Sequence, residues 1–370
     1  MSKTPGRLIT VVFLLVLASF AAFAQSSAPV ITENTEYEIG FDCPAAQVLS
    51  PDGDALWVLT QGCFTGVNAL RAFSVEDGEP LNAEDAFAAE VSAIPRSSYI
   101  DGNTNPMAFL PDGRISIIYS DEETYEARRL LIDVGEETGA NPTATVDEDT
   151  LNGLLTRYSD YPEATVYNAD HSLAVAFGTT ALHVLDLATG TELFNVAADS
   201  EEYSMFPAFA PDSRTLYVAQ LINPEDYSDY NSILTTYSLP DGSPTGDGLT
   251  VASPFMWISP DGLYSVGHVG STDGEYAALT LTSLADGSTG EEFPLNEGRK
   301  KAEVCVNDGR SLSDYDFPKS GKLSLVSVSW LPDSSGFVFT RSYGGEGLGG
   351  GAPCALNTSR LNRLELAGPG

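Results

Sequence analysis

Clusters of side-chain oxygens are the first residues in this sequence that could do chemistry. Asp101-Gly102-Asn103-Thr104-Asn105 sets oxygen donors at alternate positions, and Asp112 follows Asp101 at the spacing of a calcium loop, although a sixth-position glycine is missing. Glu225, Asp226, Asp229 and Asn231 form a second oxygen-rich loop. Calcium is the ion that such hard donors would hold; otherwise both loops are solvated surface. Histidine is scarce: His171 follows a turn aspartate, and His183 and His268 fall in strand-like runs, so each reads as structural or solvent-facing. No HExxH, GxSxG, Walker loop or GxGxxG stands in a strand-turn-helix setting, and no cofactor is expected. Arg299-Lys300-Lys301, with Arg310, Lys319 and Lys322, gathers six of the 18 basic residues in one stretch. That stretch is either an anion or partner contact or an internal counterion to acidic loops.

The surroundings of these residues are strongly acidic. Fifty-two Asp and Glu against 18 Lys and Arg give a net charge of −34, which excludes a generic nucleic-acid or anionic-membrane binder. A hydrophobic content of 42% is enough to bury a sizeable core. Residues 1–24 combine Lys3 and Arg7, an apolar run from Leu8 to Phe20 and the end Ala22-Phe23-Ala24, the pattern of a secretory signal cleaved after Ala24. The mature chain is then expected to be exported, periplasmic or extracellular, with no membrane span. Export permits disulfides among Cys43, Cys63, Cys305 and Cys354, for which three connectivities exist.

The elements that must position these residues repeat. A strand-like run, Pro-Asp-Gly or a variant, and another β-rich run recur around Asp52, Asp112, Asp170, Asp212, Asp261 and Asp333. A second turn follows most copies, as in Val75-Glu76-Asp77-Gly78, Val184 to Gly190, Leu239-Pro240-Asp241-Gly242 and Leu284-Ala285-Asp286-Gly287. Two hairpin turns per unit imply four strands per unit, and six units fill the mature chain. Four-stranded units repeated radially make an all-β fold, a six-bladed β-propeller. Seven blades are the alternative if Asn307-Asp308-Gly309 is a further turn.

With Phe109, Tyr167, Phe209 and Trp330 two residues before the turn, and Leu49 and Ile258 in that place elsewhere, the repeat resembles the WD-repeat-like and TolB-type bacterial propeller units. The resemblance covers residues 36–367 as a single domain, after the signal at 1–24 and a flexible lead at 25–35, with a tail at 368–370. It implies strands a to d from the axis outward, Pro-Asp-Gly between a and b, and the second turn between c and d. Arg360 to Leu366 would then be a final c strand whose d partner is the N-terminal strand Glu36 to Phe41. The b-to-c and d-to-a connections share the other face and include the longer stretches, among them 83–104, 141–163 and 297–323. Long loops on a rigid scaffold are where binding resides.

The same implied geometry pairs Cys43 with Cys63 across the first hairpin and Cys305 with Cys354 between two long loops. It also brings Asp42, Asn105 and Glu163 near the starts of three inner strands, where a channel-mouth calcium site would need them. The primary functional expectation is an exported, monomeric, non-catalytic propeller that binds a protein, peptide or glycan through its long-loop face. The alternative is a calcium-dependent lactonase-like or esterase-like hydrolase at the mouth of the central channel.

Overall fold

The computed structural model describes residues 30–40, 43–61, 67–83, 85–95, 98, 100, 104–121, 124–134, 144–147, 150–159, 162–197, 205–222, 231–246, 248–270, 276–290, 292–295, 322–344 and 359–367. They form six antiparallel sheets. The chain opens with β1 (Ile31–Gly40), then builds blade 1 from β2 (Cys43–Leu49), β3 (Ala55–Gln61) and β4 (Ala69–Ser74). Blade 2 is β5 (Met107–Phe109), β6 (Ile115–Ser120), β7 (Ala127–Ile132) and β8 (Ala144–Asp147). Blade 3 is β9 (Val166–Tyr167), β10 (Leu173–Phe177), β11 (Ala181–Asp186) and β12 (Thr191–Ala197). Blade 4 is β13 (Met205–Phe209), β14 (Thr215–Leu221), β15 (Ser232–Ser238) and β16 (Leu249–Val251). Blade 5 is β17 (Trp257–Ile258), β18 (Tyr264–Gly270), β19 (Tyr276–Ser283) and β20 (Phe293–Pro294). Blade 6 is β21 (Lys322–Trp330), β22 (Gly336–Gly344) and β23 (Ser359–Leu366), completed by β1 in the order β1-β23-β22-β21.

The protein is thus a six-bladed propeller closed by its N-terminal strand. Asn307-Asp308-Gly309, the candidate turn of a seventh blade, lies outside the described residues. Strand β1 starts at Ile31, opposite Leu366, so residues 31–35 are paired strand rather than the expected flexible lead. The fourth position of blade 1 also differs from expectation. Among the described residues Pro80 bridges to Phe73 and the Leu81 N–H donates to the Ala72 carbonyl at 2.8 Å, and Asn82 then stands in for strand backbone, accepting from the Ala72 N–H at 2.8 Å and donating to the Leu70 carbonyl at 3.1 Å. Phe87, Val91 and Ile94, from the segment holding the helix Ala88–Val91, then pack into the core beside Trp57.

The core is divided among the seams. Six apolar clusters each join two neighbouring blades, for example Val175, Leu182 and Val184 of blade 3 with Met205, Leu216 and Val218 of blade 4. Burying such surface is the main favourable contribution to folding. Among the described residues each of these clusters is shared between two blades, so neighbouring blades stabilise one another. The seam of blades 6 and 1 adds a buried polar lock: Gln47 Oε1 accepts from the Thr340 N–H at 2.9 Å and from its hydroxyl at 2.7 Å, and Nε2 donates to Ser329 Oγ at 3.0 Å.

The a-to-b hairpin is built six times with the same bonds. In each, the aspartate Oδ1 accepts the N–H two residues on, at 2.9–3.2 Å, as in Asp52 to Asp54 and Asp333 to Ser335. The residue after the aspartate is left-handed in every copy: Gly53, Gly113, His171, Ser213, Gly262 and Ser334. Pro-Asp-Gly is therefore a local solution to a local turn, with Asp capping the chain and Gly accepting positive φ without strain.

Candidate functional site

Antiparallel order puts the a-to-b and c-to-d turns on one face and the b-to-c and d-to-a connections on the other. On the short-turn face the aspartates are engaged in holding turns. Their side-chain partners Ser50, Arg114 and Ser335, ahead of the backbone N–H groups, hold Asp52, Asp112 and Asp333 below the usual carboxylate range. Exposed apolar side chains stand on both faces: Val67, Tyr125 and Ile222 at the b-to-c positions of blades 1, 2 and 4, and Leu263 in the a-to-b hairpin of blade 5. Not every connection on the b-to-c and d-to-a face is long. In blade 3 only 178–180 separates the b and c strands, and in blade 2 residues 121–126 close a tight turn.

Most of the residues singled out from sequence fall outside the described set: Asp42, Cys63, Asp101, Asn103, Glu225, Asp226, Asp229, Arg299, Lys300, Lys301, Cys305 and Cys354. Cys43 opens β2 opposite Gln61, and Glu163 lies in the 3-10 turn Pro162–Ala164; the side chains of both are outside that set. Asn105 is described in full, and its amide is directed across a seam. Its Nδ2 donates to the carbonyls of Asn168 at 3.2 Å and Tyr167 at 3.4 Å, bracing blade 2 against blade 3. Among the described residues, no three His, Cys, Asp or Glu side chains converge as metal ligands.

The histidines divide by environment. His171 is buried at the same seam, and its Nε2 lies 2.9 Å from the Asn105 carbonyl, which can only accept. Nε2 therefore carries the proton, and Nδ1, 2.8 Å away, accepts from the Ser116 hydroxyl. Burial, partly offset by the Asn105 carbonyl, pushes its pKa down to about 4, with Arg129 lowering it further and Asp170 raising it. His268 stacks on Phe255 with ring centroids 4.1 Å apart, and burial pushes its pKa down to about 3. His183 is half-buried, with Nδ1 3.1 Å from Glu192 Oε1, and Asn195 donates to the same oxygen at 3.0 Å. The Asn195 bond and then His183 hold Glu192 below its usual range. This dyad has a carboxylate to orient the imidazole, and the Tyr158 ring stands beside it with centroids 5.4 Å apart.

Tyr125 was not visible as a special residue in the sequence. It is a non-glycine residue at φ 56° with 58% of its surface exposed.

The chain matches no protein family and no curated protein. Among solved structures it is similar to the hydrazine synthase of Kuenenia stuttgartiensis, with 13% identity over 84% of this chain and 79% of that one and a TM-score of 0.41.

Proposed function

We propose that the protein is an exported, non-catalytic binding propeller that engages a protein, peptide or glycan through its b-to-c and d-to-a face. The observation that carries this reading is the contrast between the connections of the two faces, uniform on one and varied on the other. On one, the hairpin aspartates are tied into their own turns. On the other, the b-to-c connections vary in length, from residues 178–180 in blade 3 to residues 345–358 in blade 6. Rigid scaffolds with variable connections on one face concentrate recognition there.

Orientation on a surface tests it. The final c strand, β23, runs toward the short-turn face, so a C-terminal tether leaves the opposite face open, whereas a tether through Ile222→Cys covers it. Peptide and glycan arrays should bind the first preparation and not the second. Equal binding in both orientations, or none in either, would overturn the assignment, as would calcium-dependent turnover of lactone or ester substrates.

A further inference from the structure

The strand that closes the ring is joined to the rest of the chain by a very short link. Residues 41–42 alone separate β1, outermost in blade 6, from β2, innermost in blade 1, whereas the d-to-a connections of blades 2 to 5 are residues 148–165, 198–204, 252–256 and 295–321. A strand that must turn back across so short a hinge is held in place by its pairing, and short hinges favour exchange of the hinged element between copies.

The place that β1 fills is specific. Its register on β23 runs from Ile31 opposite Leu366 to Gly40 opposite Ser359. Ile31 packs against the cluster that holds Phe337, Phe339 and Leu364. Tyr37 packs against the one that holds Phe73, Val338 and Leu361, and its hydroxyl donates to the Glu76 carbonyl. The same junction is weak at its centre and at its ends. Asn362, opposite Glu36, is fully buried; its Nδ2 donates to Asn34 Oδ1 at 3.0 Å, but its Oδ1 has no hydrogen-bond partner among the described residues. A buried acceptor without a donor is destabilising, and water reaches it when the strand leaves. Glu33 stands opposite Glu365, a like-charge pair that Arg363, 3.0 Å from Glu365, offsets in part. The ladder is also irregular between Ile31 and Glu33 and between Glu38 and Gly40.

We infer that the β23 edge, with its places for Ile31 and Tyr37, is an acceptor for β1 of a second copy, so that two chains exchange their N-terminal strands into a closed two-fold dimer. An added strand is held by main-chain bonds and selected by the pockets that take its side chains. A second copy's β1 brings both anchors at the same spacing and reproduces the pairing of the monomer bond for bond. Two β1 strands would set Glu33, Glu36 and Glu38 against their like, so the fitting partner of a released β1 is a β23 edge, its own or another copy's. Monomer and dimer then differ in hinge strain and in the freedom lost on association. The tethered strand wins at low concentration through its high effective concentration, and exchange gains as opened chains are concentrated.

Refolding tests this. Unlabelled and isotope-labelled full-length chains are mixed in urea, returned to buffer at low and at high protein concentration, and examined by native mass spectrometry. Low concentration should give monomers. High concentration should give dimers, among them pairs of one labelled and one unlabelled chain, that persist on dilution because both strands must leave before the copies part. Inserting Gly-Ser-Gly-Ser between Phe41 and Asp42 should lower the dimer share severalfold while monomer still forms. A chain beginning at residue 41 should form no dimer by itself and a one-to-one complex with the full chain. Monomers alone at every concentration would overturn the inference. So would a dimer share that the insertion leaves unchanged, or dimers formed as readily by the chain that lacks β1. The insertion keeps the test decisive where the shortened chain fails to fold.

Discussion

His171 fills a position that the other five hairpins give to glycine or serine, and its ring reaches across the seam to Ser116 and Asn105. It is held neutral, as is His268, and this sets a pH dependence with a definite sign. Both folded pKa values, about 4 and about 3, lie below the ordinary 6.5. The unfolded chain therefore binds protons that the folded one does not, and stability is full above pH 6.5. It is lost progressively as pH falls, until the folded histidines themselves titrate near pH 4 and pH 3. Between pH 7 and pH 5 each histidine should cost about 2 kcal/mol of stability. Urea denaturation of the wild type, His171→Gln and His268→Phe at both pH values measures this. The readout is the difference between pH 7 and pH 5, which should shrink in each variant whatever its absolute stability; an unchanged difference would refute the assignment. Nothing local in Asn168-Ala169-Asp170-His171 announces this role, because the ring's partners are supplied by residues 105 and 116. The turn was legible in the sequence and the brace was not.

At the scale of the element, the c-to-d turns act as couplers between blades. The left-handed glycine of one blade is covered by a side chain from the outer strand of the blade before it: Gly78 by Tyr37 of β1, and Gly242 by Phe194 of β12. Tyr37 also donates its hydroxyl to the Glu76 carbonyl. Gly190 has nothing within 4 Å of where a Cβ would stand. Gly190→Ala should therefore cost only the left-handed strain, about 1 to 2 kcal/mol. Gly242→Ala adds a Cβ 2.5 Å from Phe194 Cγ and should cost clearly more. Thermal melts of the two variants should rank them in that order, and adding Phe194→Ala to Gly242→Ala should recover part of the loss. Such couplings explain which parts of the fold could be read in advance. The aspartate-capped hairpins announce themselves because their chemistry lies within five residues. The fourth position of blade 1 does not, because among the described residues Asn82 fills it through side-chain amide bonds that resemble no strand pattern. Tyr125 was hidden for a related reason: positive φ belongs to the backbone, and a tyrosine among glutamates reads as ordinary surface.

For the whole molecule, the seam clusters make ring closure the decisive event, and β1 is the piece that closes it. Asn362, fully buried in β23, donates to Asn34 Oδ1 at 3.0 Å, and Val30 accepts from the Ala367 N–H at 2.9 Å, so the two ends of the described fold meet. A chain beginning at residue 41 should melt at a lower temperature than the parent and regain stability when a peptide spanning 30–40 is added. A truncated chain with parental melting behaviour would show that the ring does not depend on its N-terminal strand. The meeting of the ends also sets a clock. Ile31 is paired with Leu366, and Thr32 bonds to Glu365 across a sequence separation of 333 residues, so the first strand of the ring must wait for one made much later. At typical synthesis rates that interval is on the order of tens of seconds. Throughout it β1 is an orphan β-strand, the kind of segment that pairs with whatever edge it meets. Glu33, Glu36 and Glu38 would set like charges against one another if the β1 strands of two copies paired, so repulsion disfavours that pairing while the strand waits for β23.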